Sequence, residues 1–210
     1  MVVHEATPPA PATFAGGVLH PYRHVCAFVT SREEEELLLD PFVVQALQRG
    51  ERVVHLVDPA EPAVPVNRLR RLGFDAGELL ERHRLEVRTW TDTYLRSGRF
   101  DQEDMLEQIN QLLVGRPEPR IRMVADMGWV ASQPGSREDL LEFEARANFI
   151  HADHDHIVIC AYNTTEFDGA FVIDVLRTHP LVVVGGMLQE NPFFVPPATF
   201  LEERGLVPAG

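Results

Sequence analysis

The sequence has few basic residues and no long apolar run, and each shortage excludes a class of protein. It carries 19 Lys and Arg against 32 Asp and Glu, which gives a net charge of -13. Nucleic-acid binding needs clustered basic side chains to neutralise phosphates, so we expect no direct nucleic-acid partner. A membrane-spanning helix needs about 18 or more continuous apolar residues. The sequence has no such run, and no membrane association is predicted.

Cysteines are also scarce. Cys26 and Cys160 both lie inside apolar runs, which is typical of buried, reduced thiols and predicts a cytoplasmic protein. Residues 1–16 are rich in proline and alanine, so we predict a disordered leader and not a signal peptide. A single domain over residues 17–200 and a tail over residues 201–210 complete the predicted organisation.

The first predicted strand-to-helix turn lacks a phosphate-binding loop. Val25–Val29 reads as a buried strand, after which Thr30 and Ser31 can cap a helix, with Glu33 and Glu34 at the offset of a capping box. Many nucleotide-binding α/β proteins place glycines and a lysine here. Four consecutive glutamates stand here instead and would repel a phosphate, so we expect no bound nucleotide.

Apolar runs alternate with helical segments along the chain. The predicted strands are Val25–Val29, Arg52–Val57, Leu85–Thr89, Arg120–Ala125, His156–Tyr162 and Leu181–Val184. This alternation predicts an α/β fold with three αβα layers, in which helices cover both faces of a mainly parallel sheet. Ligands of such sheets bind beyond the carboxyl ends of the strands. The residues expected there include Thr30, Asp126, Trp129 and Tyr162.

Several segments resemble the MEDS family, the methanogen and methylotroph sensory domain. They are His24–Phe28 with its acidic helix, Thr93–Asp101, Asp126–Trp129, Leu141–Asn148 and Thr178–Pro197. The resemblance covers about residues 20–197 and departs from the family pattern at Tyr22-Arg23, where members often have Gly-Asp.

The resemblance implies a RecA/KaiC-like fold without a Walker A phosphate loop. It also implies a non-catalytic sensory domain for a small organic ligand, proposed to be a simple hydrocarbon derivative. Family members occur beside histidine kinases, DNA-binding domains and anti-sigma-type regulators, so the resemblance implies a separate regulatory protein partner; a homodimer is a further option. The strand order of RecA-like relatives places the strand of Cys160 beside that of Cys26.

The residues predicted to contact the ligand are His24, Cys26, Thr30, Asp126, Trp129, Glu144 and Tyr162. His24 and Cys26 are two residues apart, so their side chains share one face of a strand. They are either ligand, metal or redox-active groups, or ordinary core residues. Asp126 is either a relic of an ATPase carboxylate or a pocket group, and Trp129 is either a pocket wall or core. The resemblance also singles out Glu144 and Arg146 as pocket or ion-pair residues.

His151, His154 and His156 place three imidazoles within six positions. With His179 or Asp153 they offer a donor set that zinc or nickel binds. The cofactor is therefore left unassigned: a divalent metal is one option, and no nucleotide is expected. The alternative is a plain helix-to-strand loop, in which polar residues are expected in any case.

The segment Asn191–Pro197 places two phenylalanines among prolines, which predicts an extended apolar arm. It either closes over the pocket, packs on a partner or serves as a structural lid.

No catalytic triad or nucleophile elbow stands out, so we predict no enzyme. Three alternative functions stay open. The first is a thiol- or metal-dependent enzyme that uses His24, Cys26 and Asp126; the others are a ligand-free interaction scaffold and a residual ATPase.

Overall fold

The computed structural model of the protein describes residues 11–113 and 120–206. Within them the strands are β1 (Ala12–Phe14), β2 (Gly17–Leu19), β3 (His24–Val29), β4 (Arg52–Val57), β5 (Leu85–Thr89), β6 (Ile121–Asp126), β7 (Ile157–Asn163), β8 (Leu181–Val184) and β9 (Met187–Glu190). The helices are α1 (Arg32–Gln48), α2 (Val64–Arg71), α3 (Ala76–Glu81), α4 (Gln102–Leu113), α5 (Trp129–Ser132), α6 (Arg137–Ala152), α7 (Gly169–Thr178) and α8 (Pro197–Glu203).

Seven strands form one sheet in the order β5-β4-β6-β7-β3-β8-β9. Its pairs are parallel except for the antiparallel β8–β9 hairpin at one edge. All six predicted strands belong to this sheet, and their bounds agree with the prediction to within one residue. The α/β fold with a mainly parallel sheet between helical layers is therefore confirmed.

Two apolar cores lie on opposite faces of the sheet, because side chains alternate along each strand. Val25 and Ala27 of β3 join the core beneath α1, α2, α3 and the β1–β2 hairpin. Cys26 and Phe28, which point the other way, join the core beneath α4 to α8. Each helical layer therefore covers one apolar face of the central strand.

The ordered fold begins before the predicted domain boundary at residue 17. β1 lies inside the predicted leader, yet Ala12 and Phe14 are buried, and the ring of Phe14 packs on Phe42 with 5.1 Å between centroids. Helix α8 extends past residue 200 into the predicted tail and buries Leu201. Residues 1–10 of the predicted leader and 207–210 of the predicted tail lie outside the described residues.

Candidate functional site

A cluster of polar side chains is buried between the sheet and the α6–α7 layer. His24 begins β3, Cys160 lies in β7, Glu144 lies on α6, and His179 follows α7. None of the four exposes more than 3 % of its surface. One donor atom from each lies within 4.8 Å of the other three. Burying polar groups together is costly, so such a group is a candidate functional site.

The register of the two central strands sets this arrangement. Cys26 pairs with Cys160 across the parallel β3–β7 ladder, and His24 pairs with Val158. The prediction that the two cysteine strands are neighbours is thus confirmed. Both cysteines are free thiols. Because alternate side chains share a face, His24 and Cys160 meet on the side that faces α6.

Glu144 stands at the centre of the cluster. Its Oε2 atom lies 3.1 Å from His24 Nε2 and 3.6 Å from His179 Nε2. Its Oε1 atom accepts a hydrogen bond from the Tyr162 hydroxyl at 3.0 Å. Cys160 Sγ lies 3.5 Å from His24 Nε2. Two imidazoles, a thiol and a phenol thus surround one carboxylate.

Hydrogen bonds outside the cluster fix both histidine tautomers. The amide nitrogen of Asn148 donates to two backbone carbonyl oxygens, at 2.9 and 2.8 Å. The Asn148 Oδ1 atom must therefore accept from His24 Nδ1, 3.1 Å away. His179 Nδ1 lies 2.9 Å from the carbonyl oxygen of Val175, which can only accept. In both rings Nδ1 is therefore the donor to these outside oxygens, and Nε2 points into the cluster.

Burial governs the charges here. Burial alone would raise the pKa of the Glu144 carboxyl, but His179, His24 and Tyr162 together hold it below its usual value. Burial and the nearness of His24 lower the pKa of His179 to about 4. The Glu144 carboxylate raises the pKa of His179, because it favours the imidazolium form. Burial opposes that form and outweighs the carboxylate, since the ring has no exposed surface. Burial, with the charge of Glu144, holds the pKa of the Cys160 thiol well above its usual value.

A cavity of about 510 Å³ reaches this cluster from the surface. Apolar walls come from Tyr22, Phe149 and Phe194 with four prolines, and polar atoms come from Arg23, His24, Asn148 and His151. The volume falls within the range of roughly 300–1,000 Å³ typical of small-molecule sites. Phe194 belongs to the predicted apolar arm, so the arm forms part of the cavity wall.

The three histidines predicted to bind metal lie in two different places. His151 is buried, and its ring centroid lies 5.0 Å from that of His24. His154 and His156 stack on each other at 5.8 Å in the following loop, and His156 Nδ1 accepts a hydrogen bond from the Ile121 N–H at 2.8 Å. The donor set that converges in the described residues therefore differs from the predicted one.

The remaining predicted ligand residues supply no donor to the four-residue cluster. At the carboxyl edge of the sheet, Glu34 Oε2 accepts from both the N–H and the hydroxyl of Thr30, each at 2.8 Å. The protein's own carboxylate thus lies at the turn where a phosphate loop would hold a phosphate. Asp126 Oδ1 accepts from the Gly128 N–H at 2.8 Å. Trp129 is fully buried against two core aromatic rings, at 5.0 and 4.8 Å.

The predicted ligand set is therefore divided. His24 and Glu144 belong to the cluster, and Tyr162 donates to Glu144. Cys26 and Trp129 lie in the apolar core that also contains Tyr162, whereas Thr30 and Asp126 lie at the carboxyl edge of the sheet. Sequence reasoning missed Asn148 and gave Cys160 and His179 only secondary roles. The signal for Cys160 was the expected neighbourhood of its strand and that of Cys26. His179 lies two residues before β8, which pairs with the other side of β3.

Comparison with protein families identifies the chain. The model of MEDS, the MEthanogen/methylotroph, DcmR Sensory domain, matches residues 23–180. This match covers most of the chain and includes the four cluster residues, so the protein belongs to the MEDS family of sensory domains. Comparison with curated proteins gave no match. In the part of the chain that the structure describes, helices long and apolar enough to cross a membrane are absent.

Proposed function

We propose that this MEDS domain is a non-catalytic sensor that binds a small organic molecule in the cavity beside His24 and regulates a separate protein. Membership of a sensory family supports the general role. The observation that carries the proposal is the cavity of about 510 Å³ whose lining includes His24 and Asn148. A ligand in this cavity contacts the buried polar cluster directly.

The lining indicates the chemistry of the ligand. Most of the wall is aromatic or proline, which favours an apolar body. Polar residues also line the cavity, among them His151, whose buried Nδ1 atom has no hydrogen-bond partner among the described residues. A molecule with a hydrocarbon part and one hydrogen-bonding group satisfies both features, and a simple hydrocarbon derivative is of this kind.

The state of the thiols supports a non-catalytic role. Cys26 has no exposed surface, and burial, with the charge of Glu144, holds its pKa well above the usual value. A thiol-dependent enzyme requires an accessible thiolate. The geometry therefore favours a sensor over a cysteine-based enzyme.

The arm offers a route for the output. Asn191 anchors it beside the cluster by donating to the carbonyl oxygens of Leu176 and His179, at 2.5 and 2.7 Å. Phe194 then lines the cavity, while the neighbouring Phe193 is 58 % exposed. A ligand that moves Phe194 changes a surface that a partner can read. We expect this partner to be a histidine kinase, an anti-sigma-type regulator or a second copy of the chain.

The test is to fill the cavity with a side chain. Ala152 lines the cavity at the end of α6 and is exposed, so Ala152→Trp should block ligand entry without disturbing the core. Short alcohols, amines, thiols, carboxylic acids and halogenated hydrocarbons are screened by thermal shift, and active compounds are then measured by calorimetry.

We expect at least one compound class to stabilise the protein, and Ala152→Trp to weaken its binding at least about tenfold, or about 1.4 kcal/mol. Ala170→Trp, at an exposed position on α7 away from the cavity, is the matched control and should bind normally. Equal binding by the two variants would remove the cavity from the proposal.

A further inference from the structure

We propose that His24, Glu144, Cys160 and His179 form a tetrahedral site for a divalent metal of the zinc class. This inference goes beyond the sensory function and does not depend on it, because it rests on the four side chains alone. These residue types are the usual zinc ligands: imidazole nitrogen, thiolate sulfur and carboxylate oxygen.

The first argument is the spacing of the donor atoms. Zinc bonds of about 2.0–2.3 Å place the corners of a tetrahedron roughly 3.3–3.8 Å apart. Three of the six separations are 3.1 Å from Glu144 Oε2 to His24 Nε2, 3.5 Å from His24 Nε2 to Cys160 Sγ, and 3.6 Å from Glu144 Oε2 to His179 Nε2. The other three do not exceed 4.8 Å. The donor atoms therefore lie close to the spacing that a bound ion requires, and small side-chain rotations bring them to its bonding distances.

The second argument is the direction of the lone pairs. The Nδ1 atoms of His24 and His179 are engaged outside the cluster, by Asn148 and by the Val175 carbonyl, so both Nε2 atoms face the Glu144 carboxylate. The Nε2 atom of His179 is buried and has no hydrogen-bond partner. Unprotonated Nε2 atoms and a carboxylate that converge in a dry interior repel one another, and a cation at their centre removes that repulsion.

The third argument is the set of hydrogen bonds that hold three of the four side chains from outside the cluster. Ligating histidines usually donate their other N–H to a carbonyl or carboxylate oxygen, which fixes ring orientation. His24 does so to the Asn148 amide oxygen and His179 to the Val175 backbone oxygen. The Tyr162 hydroxyl supports the second oxygen of Glu144. Three of the four ligands are thus oriented from outside.

The structure also offers a metal ion a route of entry and two side chains that can balance its charge. His24 lines the cavity of about 510 Å³, so an ion arriving from solvent through the cavity meets it there. On binding, the metal displaces the proton of the Cys160 thiol, which leaves to solvent, and Cys160 and Glu144 then balance the two positive charges.

The experiment uses the full chain, purified without chelator, with metal content measured by mass spectrometry. Metal-free protein is then titrated with Co²⁺ and Zn²⁺ without any organic compound, so the result is separate from that of the ligand screen. We expect one metal ion per chain, ligand-field bands of tetrahedral Co²⁺ and a thiolate-to-cobalt charge-transfer band.

Variants of the two cysteines give a matched test and control. Cys160→Ser should abolish the charge-transfer band, and Cys26→Ser, at the paired position of the neighbouring strand, should keep it. His154→Ala/His156→Ala should bind as the wild type does, which separates this site from the histidine-rich loop. Asn148→Ala should bind Zn²⁺ about 10–100-fold more weakly through its effect on His24.

Circular dichroism shows which variants are folded. If Cys160→Ser fails to fold, Asn148→Ala still decides the question through its affinity. Folded wild-type protein that binds neither ion, or a charge-transfer band that persists in Cys160→Ser, would overturn the proposal. Loss of binding in the His154→Ala/His156→Ala variant would also overturn it, by placing the metal in the loop.

Discussion

Asp126 ends β6 with a carboxyl group that is difficult to ionise in the folded protein. Burial raises its pKa to about 7, the Gly128 N–H opposes this in part, and the charges of Glu35 and Glu166 reinforce it. An acid whose pKa is higher in the folded than in the unfolded state favours folding at low pH. That stability is lost as the pH rises from about 4, where the unfolded carboxyl ionises, to about 7.

We therefore expect Asp126→Asn to stabilise the protein at neutral and alkaline pH. The amide oxygen still accepts from the Gly128 N–H, while the buried charge is gone. At pH 8 the free energy of unfolding should rise by up to a few kcal/mol, and the gain should vanish below about pH 4. Urea unfolding across this pH range measures it.

The control for this variant is Asp139→Asn, which removes one negative charge at an exposed position of α6. It should not reproduce the pH-dependent gain, although it relieves the net charge of -13 equally. A gain at Asp126 that is the same at pH 4 and pH 8 would show that ionisation of this carboxyl is not the cause.

Single residues of the site could be predicted where strand periodicity determines their direction. His24 and Cys26 share a face of β3 for this reason. Cys160 was expected near Cys26 only from the strand order that the family resemblance implies, and the register that pairs them comes from the structure. Asn148 and His179 could not be predicted in their roles, because each depends on how α6 and α7 pack above the sheet. Two-residue periodicity carries no information about that packing.

At the scale of elements, the start of α1 was predicted in part. Ser31 caps the helix by accepting from the Glu34 N–H at 3.2 Å, as expected. The Glu34 carboxylate does not return to Ser31 and accepts from Thr30 instead. The capping interaction thus extends one residue further back than in an ordinary capping box.

We expect Ser31→Ala to lower the free energy of unfolding by about 1 kcal/mol, because it leaves the Glu34 N–H without its side-chain acceptor. Ser31→Gly should cost only a few tenths of a kcal/mol, since glycine at this position leaves the end of the helix accessible to water. Urea unfolding of both variants gives the comparison. Equal losses would mean that the serine oxygen does not contribute through the cap.

Burial decides which strands could be predicted from the sequence. The six predicted strands are apolar runs that lie in the seven-stranded sheet, and their bounds were correct to one residue. The β1–β2 hairpin has strands of three residues in a segment rich in proline and alanine. β9 is an edge strand with three exposed side chains. Neither has a long apolar run or two buried faces, so the sequence pattern gave no strong signal for either.

At the scale of the whole molecule, the fold extends beyond the family match over residues 23–180. The β1–β2 hairpin lies before that match and packs on α1 through Phe14 and Phe42. It also contacts the far edge of the sheet, where the Leu188 N–H donates to the Ala15 carbonyl oxygen at 3.0 Å. The hairpin therefore joins a helix and a sheet edge that belong to one apolar core.

If the hairpin is part of the cooperative unit, truncating its buried ring should destabilise the whole domain. Phe14 is 3 % exposed, and we expect Phe14→Ala to lower the free energy of unfolding by about 3–5 kcal/mol. Val18→Ala, on the same hairpin but 54 % exposed, is the control and should change it by no more than about 0.5 kcal/mol. Urea unfolding should be followed both by far-ultraviolet circular dichroism and by tryptophan fluorescence, because both tryptophans lie outside the hairpin. Coincident shifts of the two signals in Phe14→Ala would show that the hairpin and the MEDS core unfold together. A loss no larger than that of Val18→Ala would instead show that the hairpin opens independently, and that the stable unit begins after residue 20.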